Sequence, residues 1–154
     1  MLLDARQPPF THQENTMRRQ TWQLRFEPQA APPAGEPPTF EVKSGPGTVA
    51  LLEGDSTGVP TEASYVTTVT MLDDTALVEE GTMTLDGGTL RLSTIGTGIL
   101  EPAPVEGAIR GAVIWRIEGT GRFAGTTGIL SSVFGPDPTD GTVVENQVAQ
   151  LFLP

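Results

Sequence analysis

Apolar and polar side chains alternate with a period of two along most of this chain. The first clear example is residues 21–27, where Trp22, Leu24 and Phe26 are separated by polar residues. Successive side chains of a strand point to opposite faces, so this alternation is typical of a half-buried β-strand. No segment has a convincing helical period, and the pattern therefore predicts an all-β domain.

The same alternation recurs between turn-forming residues, at the spacing of roughly 8 to 12 positions that is common in sandwiches and barrels. Asp86-Gly87-Gly88 supplies the positive φ that a tight hairpin requires. The Ala-, Pro- and Gly-rich stretch 29–38 is predicted to be a loop that does not pair in a sheet. Further strands are predicted at residues 40–43, 48–53, 62–72, 76–85, 89–95, 107–118, 123–134 and 142–153.

Short connections between consecutive strands favour a barrel over a sandwich. We predict an eight-stranded antiparallel up-and-down barrel of the calycin-like kind, because closure removes the exposed edges that invite aggregation. Such a barrel is just wide enough to hold side chains or one small ligand. The predicted organisation is a flexible N-terminal arm over residues 1–19 and a single barrel domain over residues 20–154.

Charge and composition narrow the range of partners. The chain has 9 Lys and Arg against 19 Asp and Glu, a formal net charge of -10. An anionic lipid surface or a phosphate backbone would be repelled, so no nucleic-acid or membrane partner is expected. No apolar run reaches the roughly 18 residues of a membrane helix, and the first ten residues are too short and too charged for a signal peptide. A cytoplasmic location is expected.

The residue types present also limit the chemistry. With no cysteine there is no disulfide, thiolate metal site or cysteine nucleophile. A Ser-His-Asp triad or a multi-His zinc site would have to use His12, which falls in the predicted arm. The turn residues Asp86, Asp137 and Asp140 do not have the spacing of an EF-hand loop. No metal and no cofactor is expected.

An interior ligand site would use aromatic and apolar side chains on the inward faces of strands. Tyr65 lies on an otherwise apolar face, and Trp115 shares a face with its apolar neighbours on either side. Either could line a pocket for an apolar ligand, and the commoner role of such residues is that of plain core residues in a small barrel. The candidate ligand-binding residues are Tyr65, Met71, Val113, Trp115 and Phe123.

Glu145 is the candidate catalytic residue. It shares a strand face with Gln147, Ala149 and Leu151, so a barrel that turns this face inward buries a carboxyl group. Desolvation would then suit Glu145 to act as an acid or base in proton transfer. A strand with one wet face explains the charge equally well, and a reversed register would place Arg116 and Glu118 inside instead.

Residues 119–128 are the most distinctive stretch, Gly-Thr-Gly-Arg-Phe-Ala-Gly-Thr-Thr-Gly. Its glycines predict a strand that bends sharply, packs Phe123 inward and passes close to a neighbouring backbone. The stretch resembles the glycine-rich corner of allene oxide cyclase-like and dirigent-like barrels and of uncharacterised bacterial proteins similar to them. The resemblance covers about residues 85–153 and implies an eight-stranded barrel, an interior that can be apolar, and dimers or trimers.

Members of that wider group cyclise reactive intermediates, steer radical coupling or have no known activity, so the resemblance leaves two functions open. One is a barrel that binds a small apolar ligand in its interior or self-assembles as a structural domain. The alternative is a cofactor-free cyclase or isomerase that orients an apolar substrate while a carboxyl group moves a proton. A homo-oligomer is expected, because Val144, Val148 and Phe152 add apolar area on the second face of the last strand.

Overall fold

The fold of residues 18–154, described from a computed structural model, consists of ten β-strands and contains no helix. Among these residues there is consequently no helix able to cross a membrane. Most of the predicted arm lies outside the described residues, but Arg18 and Arg19 already belong to the first strand. The strands are β1 (Arg18–Phe26), β2 (Gln29–Ala30), β3 (Thr39–Gly54), β4 (Glu62–Met71), β5 (Ala76–Leu85), β6 (Gly88–Thr94), β7 (Gly98–Pro102), β8 (Ile109–Gly121), β9 (Thr127–Pro136) and β10 (Val143–Leu153).

Eight of these strands close into a barrel in which every neighbouring pair is antiparallel. The order around the barrel is β1, β10, β9, β8, β6, β5, β4 and β3, and β3 returns to pair with β1. Strand β1 pairs with β10 along its whole length, from Arg18 opposite Leu153 to Phe26 opposite Glu145. The predicted eight-stranded antiparallel up-and-down barrel is confirmed.

The long strand β3 corrects the prediction of two short strands at residues 40–43 and 48–53. The pairing of β3 with β4 shifts register between Ser44 and Gly47, as a β-bulge does, so one strand bends without ending. A Cβ added at Gly47 would lie 2.4 Å from Cδ1 of Phe26 and 2.4 Å from the carbonyl oxygen of Arg25. Glycine at this position therefore allows β3 to cross closely over β1.

Two short strands lie outside the barrel circuit, and neither was predicted. Strand β2 pairs with the first half of β3, Gln29 opposite Lys43 and Ala30 opposite Val42. Ala34 also forms an isolated antiparallel bridge with Thr39, so the prediction that residues 29–38 do not pair was wrong. Strand β7 pairs with the beginnings of β5 and β8.

The glycine-rich corner is a turn between two strands, not a bent strand. Strand β8 continues to Gly121 and β9 begins at Thr127, so Phe123 lies in the turn and the predicted strand start at residue 123 was wrong. The Phe123 ring still points inward, and it packs edge-on against Trp22 with ring centroids 6.1 Å apart. The Arg122 guanidinium lies 4.3 Å from the centroid of the same ring. We call this the closed end of the barrel.

The inward faces of the barrel strands form one core. Arg116 and Glu118 are exposed on the outer face of β8, so the reversed register that would have placed them inside is wrong. Trp115 and Ile117, at the alternate positions of the same strand, are buried. The buried apolar core residues are Trp22, Leu24, Phe26, Ala63, Tyr65, Val69, Leu77, Met83, Leu85, Leu90, Leu92, Val113, Trp115, Ile117, Phe123, Leu130, Ala149, Leu151 and Leu153.

Candidate functional site

A cavity of about 140 Å³ lies at the end of the barrel opposite Phe123, which we call the open end. It is formed where β1, β4 and β9 end and where β3, β5, β8 and β10 begin, so its walls come from most of the circuit. Three of its lining residues carry polar side chains, Tyr65, Glu79 and Glu145. The main apolar lining residues are Phe40, Val42, Val69, Leu77, Leu100, Ile109, Phe134 and Val143.

Glu145 faces the barrel interior and is 4% exposed. Its Oε1 atom accepts a hydrogen bond from the hydroxyl of Tyr65 on β4, and its Oε2 atom accepts one from the hydroxyl of Ser132 on β9. Three strands are thereby joined across the interior, and both carboxyl oxygens have a donor. Of the two explanations open for Glu145, the wet strand face is wrong.

Tyr65 is held as a neutral hydrogen-bond donor. Burial raises the pKa of its phenol far above the usual range, and the negative charge of Glu145 raises that pKa further. The ring of Phe26 packs edge-on against the Tyr65 ring, with centroids 5.0 Å apart. This contact fixes the ring, so the hydroxyl stays directed at Glu145.

Glu79 is a second buried carboxyl group at the cavity, and it is 8% exposed. Burial raises its pKa to about 7; the charge of Glu145 adds to this shift, and the hydrogen bond that Thr67 donates to Oε2 opposes it. Among residues 18–154, no side chain or backbone group donates to its other oxygen, Oε1. Near neutral pH Glu79 can therefore both take up and release a proton.

The backbone around Glu79 is anchored to β6. Its amide N–H donates to Oγ1 of Thr94 at 2.6 Å, and the same hydroxyl donates back to its carbonyl oxygen at 2.6 Å. Regular pairing of β5 with β6 begins only at Glu80, opposite Ser93. The Thr94 side chain therefore extends the pairing by one position and holds the Glu79 main chain in place.

The cavity carries acidic groups without a basic partner. No Lys, Arg or His is among the described residues that line it, and the five ion pairs of the described chain all lie elsewhere, on exposed or half-exposed side chains. The part of the chain that is described also holds no cluster of three or more His, Cys, Asp or Glu able to bind a metal ion. The donors present at the cavity are hydroxyl groups.

Deeper in the barrel lie polar atoms that have no hydrogen-bond partner within residues 18–154. They are the amide nitrogen and oxygen of Gln147 and Nε1 of Trp115. Gln147 follows Glu145 on the same inward face of β10 and is 1% exposed. An unpaired buried amide typically costs about 1–3 kcal/mol of stability. An apolar side chain at position 147 would fill the same space without this cost.

The structure brings together only some of the candidate residues. Tyr65 and Glu145 are hydrogen-bonded at the cavity. Val113 and Trp115 are buried on β8 but do not line the cavity, and Phe123 lies at the closed end. Met71 is half-buried at the end of β4 and packs against the core outside the lining. Ligand contact by these residues and catalysis by Glu145 stay predictions.

Sequence reasoning missed Glu79, Ser132 and Thr67 as parts of the site. Glu79 carried a usable signal, because it shares the inward face of β5 with Leu77, Met83 and Leu85, the same kind of pattern that singled out Glu145. Thr67 and Ser132 carried none, because a single hydroxyl on a strand face is common in any β protein.

Comparison with known proteins adds no assignment. No family model, curated protein or solved structure matches the chain. The resemblance of residues 119–128 to allene oxide cyclase-like and dirigent-like barrels therefore stays a prediction. The function must be argued from the cavity.

Proposed function

We propose that the barrel binds a small apolar molecule in the open-end cavity, with the polar group of that molecule against Glu79 and Glu145. The observation that carries this proposal is Oε1 of Glu79, an oxygen that accepts no hydrogen bond from residues 18–154 and belongs to a buried side chain that lines an apolar cavity. Ligand sites commonly combine apolar walls with a few convergent polar groups. The cavity has this composition.

The size of the cavity limits the ligand. A dry cavity of about 150 Å³ holds one benzene ring, and the cavity here is about 140 Å³. The buried part of the ligand is therefore about one six-membered ring, and a longer molecule would extend out through the open end.

The alternative of a plain core does not explain the carboxyl groups. Burying an ionisable group against apolar walls destabilises the folded state unless the group is paired, and Leu or Met at position 79 would fill the same space without that cost. A ligand that forms a hydrogen bond with Glu79 would explain why a carboxyl group is present at this position, which core packing alone does not.

Titration with cyclohexanol, followed by backbone amide chemical shifts, tests the proposal. We expect shift changes centred on Val42, Leu77 and Phe134 with a dissociation constant in the millimolar range or tighter. Val42→Phe fills the cavity and should abolish them, whereas Val66→Phe, on the exposed outer face of β4, should not. Shift changes that persist in Val42→Phe would refute the proposal, as would the absence of shift changes with cyclohexanol and with charged analogues of the same ring.

A second candidate function, a cofactor-free isomerase, is favoured by the pKa of Glu79, about 7. On a β,γ-unsaturated ketone, the Glu79 carboxylate would remove a proton from the carbon between the carbonyl and the alkene. The C–H electron pair then forms a dienolate, and the protonated Glu79 returns the proton to the γ carbon. No oxidant, reductant or cofactor is required, and atoms and charge balance.

Conversion of cyclohex-3-en-1-one to its conjugated isomer, measured by ultraviolet absorbance, tests this candidate. We expect the rate to rise with pH through about 7, as Glu79 ionises, and to be lost in Glu79→Gln. Glu145→Gln tests the sequence prediction that Glu145 itself carries the proton. Turnover that is unchanged in Glu79→Gln would eliminate Glu79 as the base.

A further inference from the structure

We infer that the ligand of the open-end cavity is a small apolar amine, bound as its ammonium ion between the carboxyl groups of Glu79 and Glu145. This inference rests on the proposed binding function and adds the charge of the ligand to it. The starting observation is that two buried acidic side chains line the same apolar cavity.

The first step concerns charge. Tyr65, Ser132 and Thr67 donate hydrogen bonds to the two carboxyl groups, but hydroxyl groups bring no positive charge. A buried carboxylate is stabilised most by a cation within contact distance. No described lining residue is basic, so the ligand is the source of charge that the site lacks. A carboxylate or phosphate ligand would instead add repulsion.

The second step concerns hydrogen bonds. An ammonium group has three N–H donors and no acceptor. Oε1 of Glu79 accepts no hydrogen bond within the described chain, and each oxygen of Glu145 retains a lone pair beyond the one used by a hydroxyl. One ammonium therefore has enough donors for both carboxyl groups, whereas an alcohol has a single donor and can satisfy only one.

The walls of the cavity and the net charge of the protein both favour a cationic ligand with a hydrocarbon body. The rings of Phe40 and Phe134 line the cavity, and aromatic faces attract ammonium groups. The formal net charge of -10 favours the approach of a cation and disfavours that of an anion. Apolar walls then select amines with a hydrocarbon body over strongly hydrated polyamines.

A proton and an ammonium ligand compete for the Glu79 carboxylate, so the affinity for the ligand should depend on pH. The groups around Glu79 are Thr67 and Tyr65 from β4, Glu145 from β10 and the Thr94 hydroxyl from β6, and β3 and β7 contribute apolar residues to the lining. An ammonium binds the ionised form of Glu79, whose pKa is about 7 without ligand. Between pH 8 and pH 5 the affinity for an aliphatic amine should fall by about 100-fold, because the amine itself, with a pKa of about 10, stays charged.

The experiment compares three probes with one ring and different head groups: cyclohexylamine, cyclohexanol and cyclohexanecarboxylate. Dissociation constants come from amide chemical shifts at pH 8 and at pH 5. We expect cyclohexylamine to bind at least 10-fold more tightly than cyclohexanol at pH 8, and the carboxylate not to bind. Only the amine should lose affinity at pH 5.

Glu79→Gln keeps the shape of the side chain and removes its charge. We expect it to weaken cyclohexylamine at least 10-fold while cyclohexanol changes less than about 3-fold, and to abolish the pH dependence. If cyclohexanol binds in the cavity as tightly as the amine, or if amine affinity does not change with pH, the amine inference fails and the proposed binding function stands. If no probe shifts the cavity residues, both fail.

Discussion

Glu79 combines deep burial with a carboxyl group that can ionise near neutral pH, and this makes the barrel sensitive to pH. Its pKa is raised from 4.5 to about 7 in the folded chain. The folded state therefore holds the proton more tightly than the unfolded state. The resulting stabilisation is complete below pH 4.5 and is lost as the pH rises through about 7.

Glu79→Gln removes this pH dependence at a single residue. In the unmodified protein the Glu79 contribution lowers the free energy of unfolding by up to about 3 kcal/mol between pH 4 and pH 8. Urea unfolding of the unmodified protein and of Glu79→Gln gives two curves of unfolding free energy against pH. The difference between the curves measures the Glu79 contribution, because contributions from other carboxyl groups cancel. Parallel curves would show that Glu79 does not titrate in this way.

Gln147 and Gln20 test the cost of an unpaired buried amide. Both are 1% exposed, but Gln20 donates to the carbonyl oxygens of Asp55 and Thr57 and accepts from Trp22. Gln147→Met should raise the free energy of unfolding by about 1–2 kcal/mol, because it removes two unpaired polar atoms. The matched Gln20→Met should lower it by a similar amount. Chemical denaturation of the pair measures both, and destabilisation by Gln147→Met would contradict the prediction.

At the scale of elements, the bulge in β3 depends on Gly47 and not on Gly45, two positions earlier. A Cβ at Gly47 would meet the backbone of Arg25 and the ring of Phe26 at 2.4 Å, whereas a Cβ at Gly45 meets nothing within 4 Å. Gly47→Ala must separate β3 from β1 and should cost about 2–4 kcal/mol.

Gly45→Ala is the control for this strand crossing and should change the stability by less than about 1 kcal/mol. Thermal unfolding measured by circular dichroism distinguishes the two. Equal effects of the two substitutions would indicate that the close approach of β3 to Phe26 does not limit the fold.

Alternation alone predicts most barrel strands, and the exceptions have physical causes. Strand β3 was divided at Gly45-Pro46-Gly47, because local turn chemistry does not reveal that a bulge keeps the strand continuous. Strands β2 and β7 are short, and tertiary pairing, not pattern, makes them extended. Phe123 points inward from a turn, where a period of two no longer applies.

The site was predictable only in part, because alternation assigns a residue to a face without saying which face is inside. Tyr65 and Glu145 are 80 positions apart in the chain, and their contact follows from barrel closure and strand register. Closure also determines the strand ends that meet at the open end, which is why Glu79 belongs to the site and Phe123 does not.

At the scale of the whole molecule, the outer faces of β8, β9 and β10 carry several exposed apolar side chains. Val148 lies opposite Ser131, which lies opposite Ile114, so exposed apolar side chains of three neighbouring strands share one outer face, which we call the outer patch. Val144, expected on this face, is buried. The outer patch consists of Ile114, Ile129, Val133, Val148 and Phe152, between 38% and 63% exposed.

The predicted homo-oligomer would form through this outer patch. Val133→Lys should shift the protein from oligomer to monomer in size-exclusion chromatography with light scattering at micromolar concentration. Leu72→Lys changes an equally exposed residue beyond the end of β4 and should leave the oligomer intact. A monomeric unmodified protein would contradict the prediction.

The pairing of β1 with β10 sets the order in which the barrel can be completed. During synthesis the partner of β1 along residues 18–26 is the last of the ten described strands to be made, up to Leu153. Until β10 has left the ribosome, β1 and β9 each present unpaired backbone groups that invite pairing with other chains. A nascent chain lacking β10 is therefore an aggregation-prone open sheet, and the cavity, which needs Glu145 and Val143, exists only once synthesis of that strand is complete.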